Sequence, residues 1–268
     1  MQRAYTICRS QTKRTTVRAI QRWIHVRAHK AHKDLLFYDA FFSEREQRLL
    51  LTAALQKLDS AERRLYRQRR KEYLKGHAST TGTPSITDLF LPDEYYDFEA
   101  GHFDGVIKRF REMHVSSWPQ SIPELPNILK RLAEIHPDEP TQTHILHLAS
   151  DGEILPHVDN IEASGSWILG VSLGSPRVLR LENVEDPTDV KEITLPSGSV
   201  YLQRDSMRYG YKHSILAGRP FEGKETCKGQ RLSIMIRVSG IQSDLRTPHR
   251  CAEFRTAYNR IIHMFPAD

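Results

Sequence analysis

Apolar and polar positions change rhythm once along this chain, near residue 140. Before that point the spacing is helical. Leu49, Leu50, Ala53, Ala54 and Leu58 recur at three- and four-residue steps behind Ser43-Glu44-Arg45-Glu46. A Ser followed three residues later by Glu is the capping box that opens a helix. A short apolar entry, 34–42, precedes it. A second helix is expected over 126–135, with Pro126 at its start and Ile128, Leu129 and Leu132 on one face. Residues 76–87 read as a polar loop. Beyond residue 140 short β-rich runs follow at 143–148, 166–173, 177–181, 190–195, 199–202 and 230–238. Turn signals such as Gly174-Ser175-Pro176 and Pro196-Ser197-Gly198 separate them. That order predicts an α+β chain, a two-sheet sandwich or jelly roll preceded by helices. An amphipathic stretch at 251–265 predicts a helical tail over 241–268. No apolar run reaches the roughly 18 residues of a membrane span.

Composition adds exclusions. With 268 residues, 39% apolar and 27% charged, 14 Gly and 14 Pro, the chain is neither collagen, coiled coil nor wholesale disorder. Three scattered cysteines, Cys8, Cys227 and Cys251, form no C-x-x-C pair, which argues against a disulfide framework or a cysteine zinc site. The net charge of +6 is unevenly placed. Residues 1–33 hold nine cations and no acid, leaving 30 cations against 33 acids in the rest. An Arg-rich, hydroxyl-bearing, acid-free leader with Val17, Ile20, Trp23 and Ile24 at helical spacing predicts a mitochondrial targeting segment over 1–33, cut before Asp34. The plainer alternative is a basic tail that touches nucleic acid or anionic lipid. The cationic run Arg63–Lys75, flanked by Glu62 and Glu72, reads as a solvated helix face in preference to a phosphate track.

Four His-x-Asp pairs occur: His32/Asp34, His102/Asp104, His136/Asp138 and His157/Asp159. Context selects the last, which follows a strand and turn and precedes a long β run. In extended chain, residues i and i+2 face the same side, so both side chains can grip one ion. His213, 54 residues after Asp159, supplies a third ligand from a later strand. This is the two-His-one-carboxylate pattern of an Fe(II) oxygenase site. A keto acid chelating such an ion needs a cation for its distal carboxylate. In Arg231-Leu232-Ser233-Ile234-Met235-Ile236-Arg237 the two arginines share a strand face, and a guanidinium suits bidentate capture. Tyr201 adds a hydroxyl donor. His102 and Asp104 are left open between contact with the site or substrate and plain loop packing. Trp118 and Trp167 are expected in the core, and at most one of His144 and His147 can face the metal cavity.

Taken in order, Ile154-Leu155-Pro156-His157-Val158-Asp159, Leu169-Gly170-Val171-Ser172-Leu173, Pro196-Ser197-Gly198-Ser199-Val200-Tyr201, Tyr211-Lys212-His213-Ser214-Ile215-Leu216 and the Arg231–Arg237 run resemble the AlkB family of Fe(II)/2-oxoglutarate-dependent dioxygenases. The resemblance covers about three-quarters of the chain. It is greatest to the mitochondrial AlkB homologue seven branch, which His102-Phe103-Asp104-Gly105-Val106-Ile107 and Phe110-Arg111-Glu112 also match. It implies a double-stranded β-helix (jelly-roll) core over 142–240, with a helical support region over 34–141 packed on one sheet. It implies iron on His157, Asp159 and His213, 2-oxoglutarate on Arg231 and Tyr201, and Arg237 nearer the iron, holding Asp159 or the co-substrate's inner carboxylate. O₂ is the oxidant, and succinate and CO₂ are released.

Two departures bear on substrate. Leu146 and Leu148 stand where the family's nucleic-acid demethylases carry Asn and Tyr, and no basic, aromatic-interleaved lid hairpin is visible. The expected function is therefore a monomeric dioxygenase of the mitochondrial matrix acting on a protein or small molecule. The resemblance connects it with fatty-acid metabolism or regulated necrotic cell death. Demethylation of mitochondrial RNA or DNA is the alternative, and a non-enzymatic metal-binding regulator the second.

Overall fold

The computed structural model describes residues 28–77, 85–160, 164–218 and 229–239. The targeting segment expected over 1–33 therefore lies almost wholly outside the described residues, and so does the helical tail expected over 241–268. The described chain runs β1 (Ala28–His32), β2 (Leu35–Tyr38), α1 (Glu44–Ala61), α2 (Arg64–Gly76), β3 (Glu99–Gly101), β4 (Ile107–Val115), α3 (Leu125–Ala133), β5 (Thr141–His157), β6 (Trp167–Gly174), β7 (Arg177–Asn183), β8 (Val190–Leu195), β9 (Val200–Arg204), α4 (Asp205–Tyr209), β10 (Tyr211–Leu216) and β11 (Arg231–Val238). Every strand pairing is antiparallel.

Strand β5 organises the sheet because it serves two sets of neighbours. Its first half pairs with β11, Thr141 opposite Val238 through Leu148 opposite Arg231. Its last residues pair instead with β10, Ile154 opposite Ile215 and His157 opposite His213. The strand order β1-β2-β9-β6-β11-β5-β10-β7-β8 thus curls at β5, giving the jelly-roll core. The change of partner happens where β5 bulges against β4. Phe110 faces Leu148 and Lys108 faces Glu153, so residues 149–152 lie opposite Arg109 alone, whose φ is +53°. Gly152 sits in this bend. A Cβ there would lie 2.5 Å from the Arg109 carbonyl oxygen and 2.9 Å from the Ala149 nitrogen, so only glycine admits the close approach.

Period-2 alternation decides what each strand puts on each face. On β11, Leu232, Ile234 and Ile236 join Trp167, Leu169, Val171 and Leu173 of β6 and Val200 and Leu202 of β9 in one apolar layer. Helix α1 covers that layer with Leu50, Leu51, Ala54, Leu55 and Leu58, and α3 with Ile128 and Leu132. Each large side chain so buried contributes about 1.5–3 kcal/mol. Ser43 accepts from the Glu46 amide while the Glu46 carboxylate accepts from the Ser43 amide, the capping box read in the sequence. The opposite face points into the curl, where Leu35, Phe37, Phe110, Leu146, Leu148, Leu179, Leu181, Tyr201 and Tyr211 form a second cluster.

Residues 34–141, expected as helical support, also contribute strands. β2 adds to β9, and β4 runs along β5. The charges in Ile107–Val115 hide this strand from a hydropathy pattern, and they are satisfied by distant partners. Arg111 is buried, its Nη1 2.8 Å from Asp59 and 2.6 Å from Glu62, with its guanidinium 4.1 Å from the Tyr96 ring centre. Its Nε donates to His147 Nδ1 at 2.9 Å, so Nε2 carries the ring proton and donates to Gln230 at 3.0 Å. Neither candidate histidine of β5 faces a metal cavity: His147 belongs to this network, and His144 lies 3.1 Å from Glu112.

Replacing Gly152 by alanine is expected to destabilise the protein by about 1–3 kcal/mol, since the obstructing atoms are backbone. Calorimetry should show the thermal midpoint falling roughly 2–4 °C per kcal/mol. A second expectation concerns acid. Burial and the neighbouring Arg111 hold the His147 ring well below its usual 6.5, against the Gln230 hydrogen bond. As pH falls through 6.5 the unfolded chain binds this proton and the folded chain does not. Stability present above that pH is lost below it, at up to about 1.4 kcal/mol per pH unit. Urea unfolding from pH 7 to 5 should show a shallower loss in His147→Gln.

Candidate active site

His157 is the last residue of β5, and the chain then turns so that Asp159 comes back beside it. His157 Nε2 lies 3.0 Å from Asp159 Oδ1, and His213 Nε2 lies 3.9 Å from the same oxygen. The two imidazoles are cross-strand neighbours with ring centres 4.2 Å apart. One ligand atom from each residue falls within 4.8 Å of the other two. Ligands about 2.1 Å from one cation at right angles stand about 3 Å apart, so this donor set fits a single ion. Leu155 O takes a contact from His157 Nδ1 at 2.9 Å, leaving Nε2 as the donor atom on the Asp159 side.

The electrostatics suit a cation. Burial raises the Asp159 carboxyl, but His213, the His157 hydrogen bond and Arg208 outweigh it and hold the group well below the ordinary carboxylate range. Burial pushes the His213 ring down to about 4, with Asp159 opposing and His157 adding to the fall. His157 goes the other way, because its hydrogen bond to Asp159 and that residue's charge outweigh burial. At neutral pH the site presents a carboxylate and one imidazole firmly held neutral.

Arg208, absent from the sequence-based candidates, fixes the carboxylate's main chain. From α4 both of its terminal nitrogens donate to the Asp159 carbonyl at 3.2 Å, and one reaches the Asn160 carbonyl at 3.4 Å. The side chain is 2% exposed. A cation five residues before His213 was the available signal, though its acceptors are backbone atoms that no spacing rule reveals.

Inside the curl, β6, β9 and β11 bring Ser172, Tyr201 and Arg231 together. Arg231 is 1% exposed, and its Nε donates to Ser172 Oγ at 3.1 Å. Its Nη2 has no hydrogen-bond partner among the described residues. Burial lowers the guanidinium to about 10, Tyr201 opposing and Arg177 adding to the fall. A buried arginine without an acid beside it calls for an anion. Tyr201 stands across the sheet from Gly170, where a Cβ would come within 2.4 Å of its ring. The glycine inside this largely apolar run therefore makes room for the phenol. Arg237, expected nearer the ion, directs Nη1 to Ser164 Oγ at 3.3 Å, and it is Arg208 that holds Asp159.

The β3–β4 hairpin closes the other flank. Ile107 faces Ile154 and the Leu155 amide donates to the Val106 carbonyl, a register that carries the hairpin tip alongside His157. Asp104 lowers its own titration through the Val106 amide and His102 against slight burial, and it adds to the rise of His157. His102 Nδ1 is 2.9 Å from Asp104 Oδ1. Between them Phe103 is 94% exposed, its ring centre 4.2 Å from that of His102.

Comparison with known proteins adds lineage to this geometry. Proteins called alpha-ketoglutarate-dependent dioxygenase alkB homolog 7, mitochondrial, from Bos taurus and Mus musculus are each 36% identical to this chain over 146 residues. The alignments cover 52% of this chain, which spans 65% of those relatives' length. Uncharacterized protein L905 of Acanthamoeba polyphaga mimivirus is 31% identical over 124 residues, 44% of this chain and 57% of its own. Among solved structures, OsALKBH1 superposes with a TM-score of 0.46 at 15% identity, covering 79% of this chain and 99% of its own. The profile of the 2OG-Fe(II) oxygenase superfamily, whose members use Fe(II), 2-oxoglutarate and O₂, matches residues 34–237, and on that match the chain belongs to this superfamily.

Proposed function

We propose that the protein is an AlkB-like Fe(II)- and 2-oxoglutarate-dependent dioxygenase. His157, Asp159 and His213 are its metal ligands, and Arg231, with Ser172 and Tyr201, is the seat of the co-substrate's distal carboxylate. The observation that carries this reading is the pairing of the triad with a buried arginine, which has no acid partner among the described residues and faces the same interior. When bound, Fe(II) and 2-oxoglutarate supply the oxidising power for a substrate C–H bond, O₂ being consumed as 2-oxoglutarate becomes succinate and CO₂. The chain's own residues do the holding. Arg208 fixes the Asp159 backbone so that the carboxylate keeps its angle to the imidazoles. Arg231 neutralises a carboxylate in a dry pocket where such a pair is worth more than in water, and the Tyr201 phenol adds a directed donor. Arg237, braced by Ser164, sets positive charge on the same face of β11. The apolar wall of Leu146, Leu148 and Met207 limits water around the oxidising centre.

The relatives' mitochondrial designation and the acid-free, Arg-rich first 33 residues support a mitochondrial location, which we assign to the matrix. The substrate is a protein or small molecule, within the fatty-acid or necrotic-death connection that the branch resemblance implies. A body with 30 cations against 33 acids gives no broad attraction for a polynucleotide. The aromatic presented to substrate is Phe103, on a hairpin tip whose His102 and Asp104 brace it.

Purified protein given Fe(II) should form succinate slowly from 2-oxoglutarate without added substrate. His157→Ala and His213→Ala should each abolish this, and turnover that persists in both would remove the ligand assignment. Losing a charged carboxylate contact costs about 1.5–3 kcal/mol, so Arg231→Ala should raise the 2-oxoglutarate KM roughly ten- to hundredfold. An unchanged KM, read from succinate formation, would place the carboxylate elsewhere.

A further inference from the structure

Helix α2 is an unusual element to keep. Its N-cap, Arg63, makes no side-chain capping bond, its first turn holds cations and no acid, and Arg70 is its single buried residue. Cations at a helix N-terminus oppose the macrodipole, and a 13-residue helix without an apolar stripe gains little from packing. Arg70 does the anchoring, through Glu62, Asp59 and the Tyr95 carbonyl. Tyr66 and Tyr73 are part-buried, and the other side chains of the helix face outward. Arg64, Arg67, Lys71 and Lys75, at i, i+3, i+7 and i+11, make one exposed cationic stripe. Among the described residues, Arg64, Lys71 and Lys75 have no acid partner, while Arg67 donates to the Ser60 carbonyl.

Two further observations select a partner. The described residues include three exposed large hydrophobic side chains, and two are on this helix: Leu65, 63% exposed, and Leu74, 56% exposed. Leu74 stands beside the stripe, one turn from Lys71, and with Lys71 and Lys75 it lines a groove of about 620 Å³ against Gln56, Asp59 and Ser60 of α1, the Asp59 charge being answered by Arg70 and Arg111. Charge is also polarised. Residues 63–76 carry seven cations and one acid, whereas the remainder of 34–268 carries 23 cations and 32 acids. Among the described residues this helix is where the cations concentrate, which orients an acidic body toward an anionic surface. Cations interspersed with exposed leucine suit a lipid interface. A polynucleotide would want free aromatic faces, yet Tyr73 is stacked on His77 and packed against Tyr95, and Tyr66 lies under Arg63.

We infer that α2 is a peripheral docking surface for an anionic phospholipid bilayer, with Arg64, Arg67, Lys71 and Lys75 on the headgroups and Leu74 at the acyl boundary. The test uses the full chain with vesicles of phosphatidylcholine alone or mixed with phosphatidylglycerol, read by hydrogen exchange resolved along the sequence. That readout separates α2 from the cationic first 33 residues. Mixed vesicles should slow exchange over 64–76 and pure phosphatidylcholine should not. Lys71→Glu with Lys75→Glu should remove the protection and weaken vesicle binding at least roughly tenfold, from about fivefold per cation. Leu74→Asp should also reduce the protection, and unchanged exchange in β5, β6 and β11 shows that the variants are folded. Absence of slowing over 64–76 in the unaltered chain overturns the inference. So does protection of α2 by single-stranded RNA but not by mixed vesicles, or vesicle binding unchanged in the double variant.

Discussion

The geometry of the site rests on one strand that belongs to two neighbourhoods. Because β5 pairs first with β11 and then with β10, its last residue is delivered directly across from His213, and its middle is delivered to the wall that faces Arg231. A strand confined to one partner would place the histidine pair and the arginine on different surfaces. The change of partner requires the backbone of β4 to come within contact of β5 at Gly152, with Arg109 taking up the mismatch in a left-handed conformation. Backbone packing, more than any side-chain bond, sets where the triad stands.

The second organising constraint is the company kept by buried cations. Arg231, Arg208, Arg177, Arg111 and Arg70 are all buried, but they are answered differently. Arg111 and Arg70 meet Asp59 and Glu62 at the end of α1, which ties the helical layer to the sheet. Arg208 is answered by the backbone carbonyls of Asp159 and Asn160. Arg177 also donates to backbone carbonyls, those of Ser150 and Gly229. Arg231 has a hydroxyl on one nitrogen and an orphan on another. The same residue type thus serves as a fastener in one place and, in the proposed reading, as a receptor in another, and only the identity of the acceptors tells them apart.

This division also explains what the sequence could disclose. The capping box at Ser43, the alternation along β11 and the His-x-Asp pair after a turn are local, so spacing alone exposes them. The strand at Ile107–Val115 escaped the pattern because Arg111 and Glu112 find their partners roughly fifty and thirty residues away. Arg70 looked solvated for the same reason, lying in a cationic run while its acids sit in α1 and just after it. Arg208 escaped because its partners are carbonyl oxygens, which every residue carries. Alternation puts Arg237 on the Arg231 face of β11, but its hydroxyl partner, Ser164, lies outside any strand, where periodicity gives no signal.

At the other end of the sheet, β1 (Ala28–His32) covers the outer edge of β2. The leader expected over 1–33 would, if cut at its end, carry this strand away. Leu35–Tyr38 would then present unpaired amides and carbonyls at a sheet margin, the arrangement that recruits a second chain. A cut upstream of Ala28 leaves the margin covered. Were the leader cut, the position of the cut, a few residues either way, would decide which strand, β1 or β2, forms the outermost edge of the sheet.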